Sequence, residues 1–187
     1  MPAVGVLALQ GDFREHLKAL TEVGADAFCV RTPAELDRAD ALIIPGGEST
    51  TIGKLADRFG LITPLRDRID EGMPVYGTCA GMIFLAASVT EGEQPLLGVL
   101  DVLVERNAFG RQNESFEADV EIAGFDTPFP AVFIRAPWVA KLGAGVEALA
   151  TISQHPVMVR QGSLLATSFH PELTGDYRIH RMLIDLI

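Results

Sequence analysis

The sequence predicts an α/β protein: a three-layer αβα sandwich with a mostly parallel central sheet and antiparallel additions in the C-terminal half. Two patterns predict this fold. In the first half of the chain, short apolar runs alternate with helix-forming stretches, and such alternation indicates a parallel sheet joined by right-handed crossovers. In the second half, short β-rich runs are separated by turns rich in glycine and proline, which is typical of antiparallel strands.

The elements of the first half follow from its apolar runs and from the residues that bound them. Continuous apolar runs are typical of strands buried on both faces, and they predict strands at residues 4–9, 26–30, 41–44 and 74–76. Between these strands we expect helices at residues 13–23, briefly from residue 32, and at residues 49–59 and 62–71. Asp12 is placed to cap the first helix, and Ser49 or Thr50 to cap the third.

The second half is expected to contain short strands and a closing helix. The strands are predicted at residues 96–105, 117–122, 131–134, 148–153, 157–161 and 163–168. Because Gly162 separates the last two runs, they predict a β-hairpin. A final helix is predicted at residues 175–186.

Composition bounds the class of protein. With 187 residues, of which 48% are hydrophobic, the chain is long enough to bury a full core, and we expect residues 1–187 to form a single domain. No apolar run approaches the length of a membrane span, and the N-terminal stretch lacks the flanks of a signal peptide. The expected location is the cytoplasm, which keeps cysteines reduced. A net charge of −10 argues against a nucleic-acid partner.

The chain is organised around residues 74–89, where an apolar run turns sharply at Gly-Thr-Cys-Ala-Gly and continues into helix-forming residues. This G-x-C-x-G pattern is typical of a nucleophile elbow, in which glycines leave room for a strained turn. Cys79 would then stand at a helix N-terminus, which favours the thiolate. The alternative is that Cys79 is a small buried residue between packing glycines. Cys29 is interpreted as a core residue of the second strand and not as a nucleophile.

A base and an orienting carboxylate follow the last predicted strand. His170 and Glu172 flank Pro171, and in an extended chain residues two apart point to the same side. A histidine can take a proton near neutral pH, and a neighbouring carboxylate holds it in one tautomer. Together with Cys79, the two residues would form a set of nucleophile, base and orienting group.

Two glycines suggest an oxyanion site at the same rim of the sheet. Gly46 and Gly47 directly follow the third strand, where ligands of open α/β sheets bind. The backbone N–H of Gly47, with that of Ala80, would form an oxyanion hole. A nucleotide-binding P-loop is rejected here, because the five residues between Gly47 and Gly53 are one more than that motif allows.

A zinc site at Cys79, His170 and Glu172 is another alternative, but no C-x-x-C or H-x-x-x-H spacing supports it. We therefore predict neither a metal nor a cofactor. The remaining histidines are interpreted as structural or surface residues: His16, His155 and His180.

Two arginines are candidates for substrate binding. Arg106 and Arg135 stand in turn-like or strand-end contexts with polar neighbours. An arginine can bind an α-carboxylate through two hydrogen bonds. The alternative is that these side chains only stabilise loops.

Three short strings, PGGEST, GTCAGM and FHPE, together resemble the class I glutamine amidotransferases, which carry a Cys-His-Glu triad. Longer strings, above all LALQGDFREH and RNAFGRQNESFE, resemble the glutaminase subunits of pyridoxal 5′-phosphate synthase within that superfamily. The resemblance extends over nearly the whole chain. It implies a hydrolase that releases ammonia from L-glutamine and passes it to a separate barrel-shaped synthase subunit, the complex acting as a lyase that builds pyridoxal 5′-phosphate.

The resemblance also implies roles for individual residues. The triad would be Cys79, His170 and Glu172. The glutamine site would be lined by Gly47, Glu48, Ser49, Arg106, Ile134 and Arg135. Gln10, at the carboxyl end of the first strand, is expected to respond to docking of the partner subunit.

Two hypotheses from other classes remain open. A cysteine hydrolase or peptidase could use the same triad on another acyl substrate. A protein without catalytic activity could use the elbow cysteine to sense oxidation, and it would not need His170 or Glu172.

Overall fold

The computed structural model describes residues 1–109 and 115–187, which form three sheets flanked by helices. The strands are β1 (Ala3–Leu7), β2 (Asp26–Val30), β3 (Ala41–Ile44), β4 (Val75–Thr78), β5 (Ala86–Val89), β6 (Leu100–Glu105), β7 (Ser115–Val120), β8 (Phe129–Ile134), β9 (Trp138–Leu142), β10 (Glu147–Ile152), β11 (His155–Gln161) and β12 (Leu164–Thr167). The helices are α1 (Phe13–Glu22), α2 (Pro33–Leu36), α3 (Ser49–Arg58), α4 (Ile62–Asp70), α5 (Ala80–Leu85) and α6 (Arg178–Ile184), with a 3₁₀ helix at Pro171–Leu173.

The largest sheet has seven strands in the order β10-β11-β12-β4-β3-β1-β2. Neighbouring strands from β12 to β2 pair in parallel, with Leu42 opposite Val75 in the centre. At one edge, β10 and β11 are antiparallel additions. The hairpin predicted around Gly162 is confirmed, because β11 and β12 pair in antiparallel register on either side of it. The predicted fold class is confirmed as well.

Each face of this sheet is covered by its own hydrophobic core. Val6 of β1 packs in the core that contains residues of α1 and α6, whereas its neighbour Leu7 packs in the core that contains residues of α3, α4 and α5. This opposition follows from the two-residue period of a strand. The β7–β8 hairpin adds Phe133 to the first core, and the β5-β6-β9 sheet adds Leu100 to the second.

The carboxyl ends of the parallel strands meet at one rim of the sheet. Backbone hydrogen bonds join the segments that follow them: the Cys79 N–H donates to the Thr167 carbonyl at 2.8 Å, and the Asp12 N–H donates to the Gly46 carbonyl at 3.1 Å. These backbone hydrogen bonds hold the elbow after β4 against the end of β12, and the turn after β1 against the turn after β3. This is the rim on which the sequence places its candidate site.

The helix after the elbow is shorter than its sequence suggests. Residues up to 89 are good helix formers, yet α5 ends at Leu85 and Ala86 takes up φ −59°, ψ 150°. Ala86 begins β5 and pairs with Leu100 of β6. Strand pairing in the second sheet thus overrides a helix propensity that is worth only fractions of a kcal/mol per residue.

The sequence analysis missed one strand, and its assignment of Cys29 to the core was wrong. Strand β9 was not predicted, because Trp138–Leu142 shows no clean alternation of buried and exposed residues, although it pairs with β6. Cys29 is only half-buried, because β2 is an edge strand of the large sheet. Among the helices described, none combines the length and apolar character needed to cross a membrane.

Candidate functional site

Cys79 occupies a strained turn between β4 and α5. Its backbone has φ 49° and ψ −102°, in a region that non-glycine residues rarely adopt. The flanking glycines are required by close packing: a Cβ on Gly81 would overlap the Ile44 carbonyl oxygen, and one on Gly77 would lie 2.6 Å from the carbonyl carbon of Gly81. The sequence therefore builds an elbow that presents the Cys79 side chain at the rim.

The second member of the predicted triad lies on the neighbouring strand end. His170 follows β12, and its backbone N–H donates to the Val132 carbonyl at 2.8 Å. Its Nδ1 lies 2.7 Å from Glu172 Oε1. The predicted pairing is present, but the reason given for it was wrong: Glu172 sits in the 3₁₀ helix Pro171–Leu173, which His170 precedes as N-cap. A tight turn, and not an extended chain, brings the two side chains together.

Electrostatics favour a charged form of this pair. Burial disfavours the imidazolium, but the neighbouring Cys79 and the hydrogen-bonded Glu172 outweigh burial and raise the pKa of His170 to about 10. Burial also raises the pKa of Glu172, and the hydrogen bond and charge of His170 oppose that rise. Because α5 has only six residues, its dipole is small. The imidazolium is therefore the main local charge available to stabilise a thiolate on Cys79.

A cavity of about 330 Å³ opens onto these groups. Every residue that was predicted to bind substrate borders it. The lining residues are Asp12, Gly47, Glu48, Ser49, Cys79, Ala80, Ile83, Arg106, Asn107, Ile134, Arg135 and His170. Cys79 is 7% and His170 3% exposed, so both can be reached from the cavity while they remain shielded from bulk water.

The segment of the predicted oxyanion hole is fixed to the turn after β1. Gly47 has φ 149°, and a Cβ there would overlap Gln10 Oε1, so only glycine fits. The next backbone N–H, that of Glu48, donates to Gln10 Oε1 at 2.8 Å. The Glu48 carboxylate caps α3 by accepting from the N–H groups of Thr50 and Thr51. The predicted caps, Ser49 or Thr50, were wrong by one or two residues.

Arg106 is held by a side chain that sequence analysis did not single out. Its Nη1 donates to Gln94 Oε1 at 3.0 Å, and Ser49 Oγ donates to the same oxygen at 3.3 Å. Gln94 thus connects two predicted substrate-binding residues from behind. Nothing in its local sequence, a polar turn, could have revealed this link.

Ile134 ends β8, Arg135 follows it, and both residues line the cavity. Arg135 has φ 46°, and the Ile134 carbonyl oxygen lies 3.8 Å from Cys79 Sγ. Asn107, which follows Arg106, also has a positive φ of 48°. Residues 110–114, part of the string RNAFGRQNESFE, lie outside the described residues.

Asp12 was predicted to cap α1, and it does not. It stands at the N-cap position without a side-chain hydrogen bond to the helix. Its Oδ2 lies instead 3.8 Å from His170 Nδ1, and burial raises the pKa of its carboxyl. A signal for this placement existed, because Asp12 lies in the turn after a strand that ends at the rim.

Three side chains of this site, Asp12, His170 and Glu172, are close enough together to hold a cation. One ligand atom each from Asp12, His170 and Glu172 lies within 4.8 Å of the others. Two of these atoms, His170 Nδ1 and Glu172 Oε1, already share a hydrogen bond of 2.7 Å. A metal could bind there only after that hydrogen bond opened.

His16 and His180 are buried and are not surface residues. His16 Nε2 lies 3.5 Å from Glu172 Oε2. His155, by contrast, is half-buried and stacks on Trp138 with ring centroids 3.7 Å apart.

Comparison with known proteins assigns this arrangement to a family. A model of the SNO glutamine amidotransferase family matches residues 6–187. The chain belongs to the SNO glutamine amidotransferase family. It is 60% identical to "Pyridoxal 5'-phosphate synthase subunit PdxT" of Parafrankia sp. (strain EAN1pec), with 100% of this chain and 93% of that protein covered. It is 58% identical to the protein of the same name from Nocardioides sp. (strain ATCC BAA-499 / JS614), with 100% and 96% covered.

A solved structure agrees with this family membership. A crystal structure of a glutamine amidotransferase superimposes with a TM-score of 0.95 and 56% identity, covering 98% of each chain. The family resemblance inferred from GTCAGM and FHPE is confirmed. The roles of individual residues in this family member remain proposals.

Proposed function

We propose that the chain hydrolyses L-glutamine to glutamate and ammonia through Cys79, His170 and Glu172. It then delivers the ammonia to a separate synthase subunit that makes pyridoxal 5′-phosphate. The observation that carries the proposal is the strained cysteine elbow, which opens into the same cavity as a histidine hydrogen-bonded to a buried carboxylate. The reaction belongs in the cytoplasm, where a thiol nucleophile stays reduced.

The first half-reaction forms a thioester. The Cys79 thiolate attacks the side-chain amide carbon of glutamine, and the carbonyl electron pair moves onto oxygen. Backbone N–H groups of Gly47 and Ala80 would stabilise that oxyanion. As the C–N bond breaks, the His170 imidazolium gives its proton to the nitrogen, and ammonia leaves. The product on the protein is a γ-glutamyl thioester of Cys79.

The second half-reaction restores the protein. Neutral His170 takes a proton from a water molecule, and the hydroxide attacks the thioester carbonyl. The C–S bond breaks, glutamate leaves, and Cys79 is again a thiolate beside the His170 imidazolium. Glu172 stays ionised throughout and holds His170 by its Nδ1–H, as in other triads.

The rest of the cavity suits an amino acid. Arg106 and Arg135 offer guanidinium groups to an α-carboxylate, and both line the cavity with the Glu48 carboxylate and Ser49. The positive φ of Arg135 strains the backbone beside Cys79, and such strain commonly accompanies a functional site.

The partner and the pathway are inferred from the relatives. Both PdxT relatives are named as subunits of pyridoxal 5′-phosphate synthase, and the chain covers more than nine-tenths of each. A chain of this length with that similarity is expected to act as the same kind of subunit. As part of the complex it would contribute to a lyase.

The test is an assay of ammonia and glutamate formation from L-glutamine, with and without the barrel-shaped synthase subunit. We expect equal amounts of the two products and a rate that rises with the partner. A peptidase with the same triad would cleave peptides and leave free glutamine intact. Activity that persisted in Cys79→Ala would contradict the proposed mechanism.

A further inference from the structure

Two buried histidines form a hydrogen-bonded pair next to Glu172 of the proposed triad. His16 on α1 and His180 on α6 both have 0% exposure. His180 Nε2 lies 3.0 Å from His16 Nδ1. The other nitrogen of His16, Nε2, lies 3.5 Å from Glu172 Oε2 and 3.2 Å from Thr78 Oγ1. The pair therefore reaches the oxygen of Glu172 that His170 does not use.

The hydrogen-bond partners of the two histidines determine which nitrogen of each ring carries the proton. His180 Nδ1 is buried and has no hydrogen-bond partner among the described residues. A buried N–H without an acceptor is strongly unfavourable, whereas an unshared nitrogen lone pair is tolerated better. The proton of neutral His180 therefore belongs on Nε2, from which it donates to His16 Nδ1. That assignment in turn leaves the proton of His16 on Nε2, which shares a hydrogen bond with Thr78 Oγ1 and lies next to Glu172 Oε2.

The carboxylate of Glu172 has one oxygen without a hydrogen-bond donor in the part of the chain that the structure describes. Glu172 Oε2 is buried and lacks a hydrogen-bond partner of good geometry among the described residues, although the His16 Nε2 atom is its near neighbour. Hydrogen-bond donors favour the ionised form of a buried carboxylate, so a donor near Oε2 would support the one that His170 already gives to Oε1. Burial lowers the pKa of His16 well below its ordinary value, and His180 and His170 lower it further. Burial lowers the pKa of His180 to about 4, so both histidines are neutral near pH 7.

We propose that His16 is a positioning residue of the glutaminase reaction: neutral, it directs its Nε2–H at Glu172 Oε2, and His180 fixes its tautomer. The inference rests on the proposed function, since it gives Glu172 its place in the triad. The neutral pair of His16 and His180 supplies a hydrogen-bond donor without adding a second positive charge beside His170. Glu172 then stays ionised and aligned for His170, which carries the proton to ammonia.

The surroundings support a role in orientation. The Tyr76 ring meets both imidazoles edge-on, at interplanar angles of 87° to His16 and 89° to His180. Tyr177, the N-cap residue of α6, packs edge-on against His180. The other ionisable groups that act on this cluster are His170, Glu172 and Asp12. Aromatic packing therefore leaves the rings little freedom to turn. His16 Nε2 stays hydrogen-bonded to Thr78 Oγ1 and 3.5 Å from Glu172 Oε2.

The first test removes the donor and keeps the volume. His16→Leu should lower kcat about tenfold to a hundredfold, the effect of one hydrogen bond to a charged group, and leave KM near its wild-type value. Because Glu172 would then be protonated at higher pH, the acid limb of the rate profile should move upward. His16→Gln, which can restore an N–H, should recover part of kcat. His155→Leu, at the histidine stacked on Trp138, is the matched control and should leave kcat unchanged.

The second test needs no variant at the site. Long-range ¹⁵N–¹H spectra of histidine-labelled wild-type chain should show Nε2–H tautomers for His16 and His180, with both Nδ1 atoms unprotonated near pH 7. An Nδ1–H tautomer of His16 would overturn the proposal even if His16→Leu failed to fold.

The outcomes separate this inference from the proposed function. Wild-type kcat and pH profile in a folded His16→Leu variant, together with a large loss in Glu172→Gln, would overturn the role of His16 and leave the triad in place. If Cys79→Ala and the wild-type chain hydrolysed glutamine equally well, the proposed function itself would fail.

Discussion

Gln10 Oε1 accepts a hydrogen bond from the backbone N–H of Glu48 at 2.8 Å. This contact connects the turn after β1 with the segment that carries the proposed oxyanion donor, Gly47. A Cβ at Gly47 would overlap the same Gln10 oxygen, so the two groups are in close contact. We therefore expect Gln10 to respond to a partner that docks at the rim and to act on the orientation of the Gly47 peptide.

The first prediction concerns this coupling. The isolated chain should be a poor glutaminase, and the synthase subunit should activate it by turning the Gly47 N–H into the cavity. Loss of one oxyanion donor is worth roughly 2.7–4 kcal/mol, or a factor of about a hundred or more. Gln10→Ala should therefore reduce activation in a titration of ammonia release with the synthase subunit.

Gln161→Ala is a matched control for Gln10→Ala. Gln161 Oε1 also accepts a backbone N–H at 2.8 Å, that of Asp101, and it does not line the cavity. Its variant should be activated normally. Equal activation of both variants would exclude Gln10 from the coupling, and full activity of the isolated wild-type chain would exclude the switch.

The second prediction compares the effects of replacing His170 and Glu172 of the proposed triad. His170→Asn should nearly abolish turnover, because both proton transfers lose their carrier. Glu172→Gln should lower kcat by about a hundredfold to ten-thousandfold, by analogy with neutralised triad carboxylates. Steady-state kinetics in the presence of the synthase subunit measure both losses. A wild-type rate in Glu172→Gln would remove that residue from the mechanism.

The third prediction is a pH dependence. Since the pKa of His170 is raised to about 10, its imidazolium should persist through neutral pH and be lost only as the pH rises through about 10. The stability that the raised pKa of His170 contributes has the same sign: it is fully present below the ordinary histidine pKa of 6.5 and disappears as the pH rises through about 10. On the acid side, activity should fall as Glu172 is protonated, at a pH above that of an exposed glutamate, because its pKa is raised.

Stopped or initial-rate assays across this range, with denaturant unfolding at each pH, measure both effects. Glu172→Gln should lower the alkaline limit, because the histidine then loses a charged partner. An alkaline limit near pH 6.5 in the wild type would contradict the ion pair.

The fourth prediction concerns Gln94, which accepts hydrogen bonds from Arg106 and Ser49. Gln94→Leu keeps the approximate volume and removes the acceptor. Arg106 should then be held less firmly, and the KM for glutamine should rise about tenfold, the effect of one hydrogen bond to a charged group, with kcat little changed. Gln94→Glu keeps an oxygen acceptor and should restore KM. Unchanged KM in Gln94→Leu would show that Arg106 does not need this support.

The sequence predicted the parallel half of the fold well because its strands are continuous apolar runs. Ala41–Ile44, for example, has the predicted bounds and is fully buried. Strand β9 and the short α5 were not predicted, since both depend on pairing within the small β5-β6-β9 sheet. Local propensity does not report such pairing between distant segments.

In the candidate site too, residues marked by local sequence were predicted, and residues placed by long-range contacts were not. Cys79, His170 and Glu172 stand out because a motif or a strand end marks each of them. Asp12, Gln94 and His16 reach the site through contacts between segments far apart in the chain. A lone histidine on a helix gives no sign that a carboxylate will lie 3.5 Å away, so the sequence predicts only a structural or surface residue at His16.

The central claim is that Cys79 is the nucleophile that attacks glutamine, and covalent trapping tests it most directly. The chain, with its synthase subunit, is treated with an electrophilic glutamine analogue and digested, and the labelled peptide is identified by mass spectrometry. Cys29, half-buried on β2, serves as the internal control, and Cys29→Ala should keep its activity. The account predicts label on Cys79 alone, prevented by excess glutamine. Label on Cys29 with Cys79 spared, or labelling that glutamine does not prevent, would contradict it.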